Sequence, residues 1–444
     1  MKIIPFPAWT ACSMPPRQVV ADVSRRIMFL KRSGIRRRLT SAATFLSGLL
    51  IVLATLNDAF AADKKLPNKK GDAHALPAGA RELNIGDPAP DFELPGIDGK
   101  THRLADYKEA KLLMIAFISN HCPDSHAAEG RIKQLLGEMK GKGLTLVAIN
   151  PNNPDGLRLD ELGYSKYNDG FDDMKKYATE QGFTFPYLYD GETQAIAKAY
   201  GCLATPHVFI FDAERKLRYK GQFDDSRFAE ASTVKSQDAR QAVEALLAGR
   251  PVPVEVTKPH GCSTKWMEKK SSVAVADAKQ AATPVEVELI DTAGVAALRK
   301  NGTAKVRLFN VWATWCAPCV AEFPELVTTA RKFGLRDFEL ITLSTDEPKD
   351  IAKAKAFLEK KGAAPGDKLK RSIKDEGRKT NSYLYRGADV NELMKVLDPE
   401  WAGGIPHSVL VAPDGKIIWR HNGAVDGDEL RAQILQFMGP YYKP

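Results

Sequence analysis

Two cysteines spaced three apart, in Trp315-Cys316-Ala317-Pro318-Cys319, are the residues of this chain best suited to chemistry. They follow the apolar run Val306-Arg307-Leu308-Phe309-Asn310-Val311, so the pattern predicts a dithiol where a buried strand turns into a helix. At a helix N-terminus, exposed amides and the helix dipole favour a thiolate. Cys316, nearer the solvent side of the turn, is the expected attacking thiolate, and Cys319, in the first helical turn, the resolving thiol. Structural zinc would need two more ligands at suitable spacing, and none is apparent, so neither a metal nor another cofactor is expected. A purely structural Cys316–Cys319 disulfide is the plainer alternative.

A second thiol site centres on Cys122, in Phe117-Ile118-Ser119-Asn120-His121-Cys122-Pro123. Ser119 stands three residues before it and Ser125 three after, so either register of a Cys-x-x-Cys pattern leaves a single thiol. A lone thiol forms mixed disulfides but needs a partner to turn over. His121 could stabilise a Cys122 thiolate. The sequence His260-Gly261-Cys262 is too short a signal for a metal site.

The elements that must position these cysteines occur twice. In the first copy the strand run Leu112 to Ile118 precedes Cys122, a helical pattern (Ile132, Leu135, Leu136, Met139) follows, and then the strand Leu144 to Ile149. A helix near Met174 to Gln181 and the stretch Thr205-Pro206-His207-Val208-Phe209-Ile210-Phe211, running into Leu217-Arg218-Tyr219, complete it. The second copy has the strand 306–311, a helix to about Phe333, the strand Phe338 to Leu343, and Ile405-Pro406-His407-Ser408-Val409-Leu410-Val411 running into Lys416 to Trp419. Each closes with a helical run, Asp238 to Leu247 and Gly427 to Met438. The expected fold is α/β: two tandem units, each a central mixed sheet flanked by helices. A stretch from Lys349 to Trp401 exceeds what the second unit needs, and could shape a partner surface or simply pack.

Residues 1–61 read as a secretory signal: Arg36-Arg37-Arg38, an apolar run from Leu39 to Leu56, and Ala59-Phe60-Ala61 before Ala62. Left uncleaved, that run is about long enough to anchor the chain. The N-terminus is overlong for a signal, and Met28 is an alternative start. Nine Lys or Arg against Asp22 and Asp58 give the part before Ala62 +7 of the chain's net +9, leaving about +2 for the rest. The basic balance therefore belongs to targeting, and no nucleic-acid partner is expected. Residues 62–80 read as a flexible leader, 81–266 as the first domain, 267–284 as a linker without apolar periodicity, and 285–444 as the second domain. Five cysteines after residue 61 are too few for a disulfide scaffold.

On Trp315-Cys316-Ala317-Pro318-Cys319, Glu322-Phe323-Pro324 and Gly404-Ile405-Pro406, the second domain resembles the thioredoxin superfamily, and more closely its exported ResA/TlpA-like thiol-disulfide oxidoreductases. The resemblance implies a thioredoxin-like fold, a cis Pro406 against the cysteine pair, and partners that are exported protein thiols or disulfides, with a membrane-bound electron donor possible. Thioredoxins often carry an acid six residues before the first cysteine. Here that residue is Asn310, and the resemblance implies Glu322 as its replacement in proton transfer.

The first domain resembles a peroxiredoxin-like (redoxin, AhpC/TSA-type) family on residues 117–123 and on Gly261-Cys262-Ser263-Thr264-Lys265-Trp266. Members often have cysteine where Ser119 stands. Ser119 does supply the hydroxyl that peroxidases place three residues before their peroxidatic cysteine, but the expected proline is Ile115 and no activating arginine is assignable. In this fold the loop before Pro206 approaches the active-site helix, which makes Cys202 the first candidate partner for Cys122, with a buried apolar role as the alternative. Cys262, in the tail motif, is the second candidate. The leading expectation is an exported, periplasmic or extracytoplasmic thiol-disulfide oxidoreductase using Cys316 and Cys319 on protein clients or on its own first domain. The alternatives are a thiol peroxidase, with Cys122 attacking peroxide and the second domain as reductant, and a non-catalytic binding protein.

Overall fold

The computed structural model describes residues 74–444. The signal segment, the alternative start at Met28 and residues 62–73 of the leader lie outside the described residues. Among the described residues no helix is long and apolar enough to cross a membrane.

The first domain is built on a five-stranded sheet in the order Tyr187–Tyr189, Leu144–Asn150, Leu112–Phe117, His207–Phe211, Leu217–Gly221. The first three strands run parallel, and the last two form an antiparallel hairpin. Leu112–Phe117 is buried at every position because it has a strand on each side and a layer on each face. Leu112, Met114 and Ala116 share one core with Ile132 and Leu135 of the helix Pro123–Glu138 and Val243 of the helix Asp238–Leu247. Leu113, Ile115 and Phe117 point the other way, into a core with Tyr200, Phe209 and Trp266. Packing begins before residue 81, since Leu76 lies against that second core.

The second domain repeats the plan with one more strand: Glu288–Ile290, Ser382–Tyr385, Phe338–Ser344, Val306–Trp312, His407–Val411, Ile417–Asn422. Leu308 and Trp312 meet Phe323 and Leu326 of the helix Ala317–Lys332, whereas Phe309 and Val311 face Leu393 and Trp401. The chain thus forms two tandem thioredoxin-like folds: the pattern predicts the two mixed-sheet units, and the resemblance implies their thioredoxin-like plan. The long stretch from Lys349 to Trp401 packs: it supplies the strand Ser382–Tyr385 and buries Leu358, Ile373, Leu393, Leu397 and Trp401. It also brings Glu376 and Arg378 to a buried ion cluster. Arg307 donates to Glu339 at 2.9 Å and to Glu376 at 2.5 Å, and Arg378 donates to Glu339 at 2.6 Å.

Within the stretch 267–284, Lys270–Ala281 is a twelve-residue helix with no buried residue. It has no apolar face to announce it, but Ala274, Ala276, Ala278 and Ala281 are strong helix formers. Arg331 of the second domain also pairs with Asp277 on it.

Candidate functional site

The strand Val306–Trp312 delivers the chain to Cys316, which is the N-cap of Ala317–Lys332, with Pro318 in the first turn, where a missing N–H costs nothing. The amide of Cys319 points at the Cys316 sulfur, 3.3 Å away. The two sulfurs are joined in a disulfide with the Cα atoms 5.3 Å apart. Cys319 is fully buried, Cys316 is 5 % exposed and Trp315 beside it is 67 % exposed, so an incoming thiol meets Cys316 first. The Ile405–Pro406 peptide is cis, and the Ile405 carbonyl oxygen lies 3.7 Å from the Cys316 sulfur.

Glu322, one turn beyond Cys319, is buried. It accepts from Asn310 Nδ2 at 2.8 Å and from the Val425 amide at 2.8 Å, and Asn310 also donates to Ser408 at 3.0 Å. Burial pushes the Glu322 carboxyl up, and these two donors only partly offset it. Asn310 and Glu322 thus form one buried polar unit linking the strand before the dithiol to the helix after it, with the acid on the helix.

The first domain repeats this junction with a different residue set. Cys122 is the N-cap of Pro123–Glu138, and the amide that points at its sulfur, 3.4 Å away, belongs to Ser125. Ser125 therefore takes the place that Cys319 holds in the second domain, and the register is the one in which Cys122 comes first. Ser119 bonds Thr205 side chain to side chain at 3.0 Å, and the Thr205–Pro206 peptide is cis. As a thiol, Cys122 donates to the Thr205 carbonyl at 2.9 Å.

Cys202 is not the residue brought to Cys122. Its sulfur sits in the second core, 3.4 Å from the Ala204 carbonyl and 3.5 Å from the Thr264 hydroxyl, and burial pushes its thiol up to about 12. The neighbour is Cys262. The two-residue strand Cys262–Ser263 pairs antiparallel with Ala204–Thr205, and Thr205 and Cys262 stand opposite each other. The sulfurs of Cys122 and Cys262 and a carboxylate oxygen of Asp124 all lie within 4.8 Å of one another. Burial disfavours a Cys122 thiolate, but a hydrogen bond from Cys262 and the charge of His121 outweigh it and hold Cys122 well below the usual thiol range. The same hydrogen bond, together with burial, holds Cys262 well above it.

His121 lies in a buried dyad. Its Nδ1 meets Asp169 Oδ2 at 2.5 Å, and Asp169 also accepts from Asn152 at 2.8 Å and from the Asn120 amide at 2.8 Å. Burial opposes a charge on the imidazole, and Asp169 overcomes that penalty, so the ring is held above its ordinary value. Sequence reasoning reached His121 but not Asp169, which is 48 residues away and has no local signal. It also missed Asp124, although the run Cys-Pro-Asp-Ser carries it. The tail of the second domain lies over this site. Tyr442 packs on Tyr164 with ring centroids 5.2 Å apart, Arg227 stacks on Tyr442 at 4.2 Å, and the Pro440 carbonyl meets His126 at 3.0 Å.

The model of the AhpC/TSA family matches this chain twice, over residues 85–220 and 279–420. Among curated proteins, a thiol-disulfide oxidoreductase ResA of Geobacillus thermodenitrificans is 28% identical over 134 residues, 30% of this chain and 67% of that protein. A provisionally assigned peroxiredoxin of Mycobacterium tuberculosis is 29% identical over 121 residues, 27% of this chain and 66% of its own. The chain thus spans about two thirds of the length of these relatives. Among solved structures, a hypothetical protein from Sinorhizobium meliloti 1021 is 36% identical with a TM-score of 0.38, covering 42% of this chain and 97% of its own. An uncharacterized conserved protein from Geobacillus kaustophilus is 41% identical with a TM-score of 0.37, covering 41% and 92%.

Proposed function

This chain belongs to the AhpC/TSA family through both of its folded halves, and we propose that it is an exported thiol-disulfide oxidoreductase working through Cys316 and Cys319. The observation that carries this reading is the placement of Cys316. It caps a helix N-terminus beside an exposed tryptophan, with its partner sulfur buried one turn behind. In the reduced form the Cys316 thiolate attacks one sulfur of a client disulfide, and that S–S bond breaks to release the first client thiolate. Cys319 then gives up its proton and attacks the Cys316 sulfur, which releases the second client thiolate and closes Cys316–Cys319. Two electrons pass from the dithiol to the client. Glu322 is the group behind the pair that takes and returns the Cys319 proton, because burial has raised its affinity for one. The reverse sequence oxidises a client dithiol.

Export rests on the basic, apolar and Ala-x-Ala pattern of residues 36–61. The clients are exported protein thiols or disulfides, the first domain of the same chain among them, and a membrane-bound donor would restore the dithiol. The test is Cys319→Ser, which should accumulate reductant-sensitive adducts on Cys316 in the presence of client. A variant that forms none while the wild type turns over contradicts the reading.

A second reading, thiol peroxidase chemistry at Cys122, is favoured by one observation, the sulfur of Cys262 beside it. The Cys122 thiolate would attack the peroxide oxygen and release alcohol or water, becoming a sulfenic acid. The Cys262 thiol would condense with it, losing water and forming Cys122–Cys262. A sulfenic acid trapped at Cys122 in Cys262→Ser supports this. Its absence, with no peroxide-dependent disulfide in the wild type, excludes it.

A further inference from the structure

Cys122 and Cys262 come from segments 140 positions apart, and Asp124 joins them from the first turn of the helix that Cys122 caps. Their two sulfurs and one carboxylate oxygen lie within 4.8 Å of one another. Asp124 is 3 % exposed, and its Oδ1 has no hydrogen-bond donor. Two charges face it. One is the Cys122 thiolate, which adds to burial in pushing the Asp124 carboxyl up to about 7. The other is Arg227 Nε at 3.5 Å, on a side chain that is 52 % exposed and stacked on Tyr442. A buried carboxylate oxygen that no donor satisfies is costly to keep, unless something else is meant to meet it. Two cysteine sulfurs and a carboxylate oxygen within 4.8 Å of one another are a ligand set, and its softness excludes Ca²⁺ and Mg²⁺, which require oxygen shells.

We infer that Cys122, Cys262 and Asp124 bind a thiophilic divalent cation of the Zn²⁺ class, leaving one coordination position open. Zn–S bonds of about 2.3 Å and a Zn–O bond of about 2.1 Å place tetrahedral ligand atoms roughly 3.5–3.8 Å apart, inside the observed spread. Cys122 meets the cation as the thiolate its surroundings already favour, Cys262 gives up its thiol proton to solvent, and no electrons move. Arg227 swings outward from Asp124 as the cation takes its place. The site does not depend on exchange at Cys316 and Cys319. A bound cation would, however, withhold both thiols of the first domain from peroxide.

The test uses the full chain carrying Cys316→Ser and Cys319→Ser, so that the other dithiol contributes no sulfur, reduced with a phosphine under anaerobic conditions. After Zn²⁺ loading and dialysis against metal-free buffer, it should retain about one equivalent. Co²⁺ in its place should give thiolate-to-cobalt charge-transfer absorption. Adding Cys262→Ser should abolish that absorption, and Asp124→Asn, which gives up the carboxylate and its 3.5 Å ion pair with Arg227, should weaken Zn²⁺ about tenfold or more. Failure to retain Zn²⁺, or equal retention in both variants, overturns the assignment.

Discussion

Cys262 stands opposite Thr205 in a two-residue antiparallel pairing, and the same Thr205 offers its carbonyl to Cys122. The pairing therefore carries a distant cysteine to the first domain's thiol. Gly261 makes this approach possible, with φ at 139° and the position of a Cβ only 2.2 Å from the Thr205 carbonyl oxygen. Gly261→Ala must push the segment away, at a strain of about 1–3 kcal/mol. Diamide-driven formation of a Cys122–Cys262 disulfide, followed by mass spectrometry, should slow by about tenfold or more in this variant. An unchanged rate would mean that the pairing does not position the sulfurs.

The reactivity of Cys122 has a pH signature. The thiolate is the nucleophile, and Cys122 is held well below the ordinary thiol range by Cys262 and His121 against the opposing effect of burial. Iodoacetamide labelling of Cys122 under denaturant-free conditions should reach its plateau well below the pH at which an ordinary cysteine does. His121→Gln removes the cation, so the profile should move to higher pH. A profile that does not move would separate His121 from the thiol.

Glu322→Gln preserves the side-chain shape but cannot take a proton. Thiol–disulfide exchange by Cys316 and Cys319 should fall by about a hundredfold, the low end for loss of a general base. In the wild type, the acid limb of the rate profile should lie above the usual glutamate range, because burial raises this carboxyl. Activity is present above that raised value and lost as the pH falls through it. In Glu322→Gln the limb should disappear.

Arg307, Glu339, Glu376 and Arg378 form a cluster in which Arg307 is 2 % exposed and Glu339 fully buried. Arg307→Ala leaves buried carboxylates short of a partner, at a cost of about 3–5 kcal/mol. Calorimetry should show a lower unfolding temperature for the second domain. Arg307→Lys should lose less than Arg307→Ala but still fall short of the wild type, since lysine lacks the fork that bonds Glu339 and Glu376 together.

What could be read from the sequence was what is local. The Cys316 and Cys319 spacing, the strand before it and the helix after it lie within one short segment, and each carries its own periodicity. Pro206 and Pro406 come from the resemblance, which implies a proline beside each cysteine site, and each precedes an apolar strand run. The partner of Cys122 was not within reach, since the contact of Cys262 depends on a pairing that closes across most of the domain, whereas Cys202 lies nearer in sequence but points into the core. Asp169 and Tyr442 were missed for the same reason. The helix Lys270–Ala281 escaped because a solvated helix needs no apolar stripe, only residues that tolerate the conformation.

The central claim, that Cys316 and Cys319 carry the exchange, is tested most directly by steady-state reduction of insulin disulfides with dithiothreitol as donor. The wild type should accelerate it, and Cys316→Ser should return the rate to that of dithiothreitol alone, while Cys122→Ser retains the wild-type rate. Undiminished activity in Cys316→Ser would contradict the account.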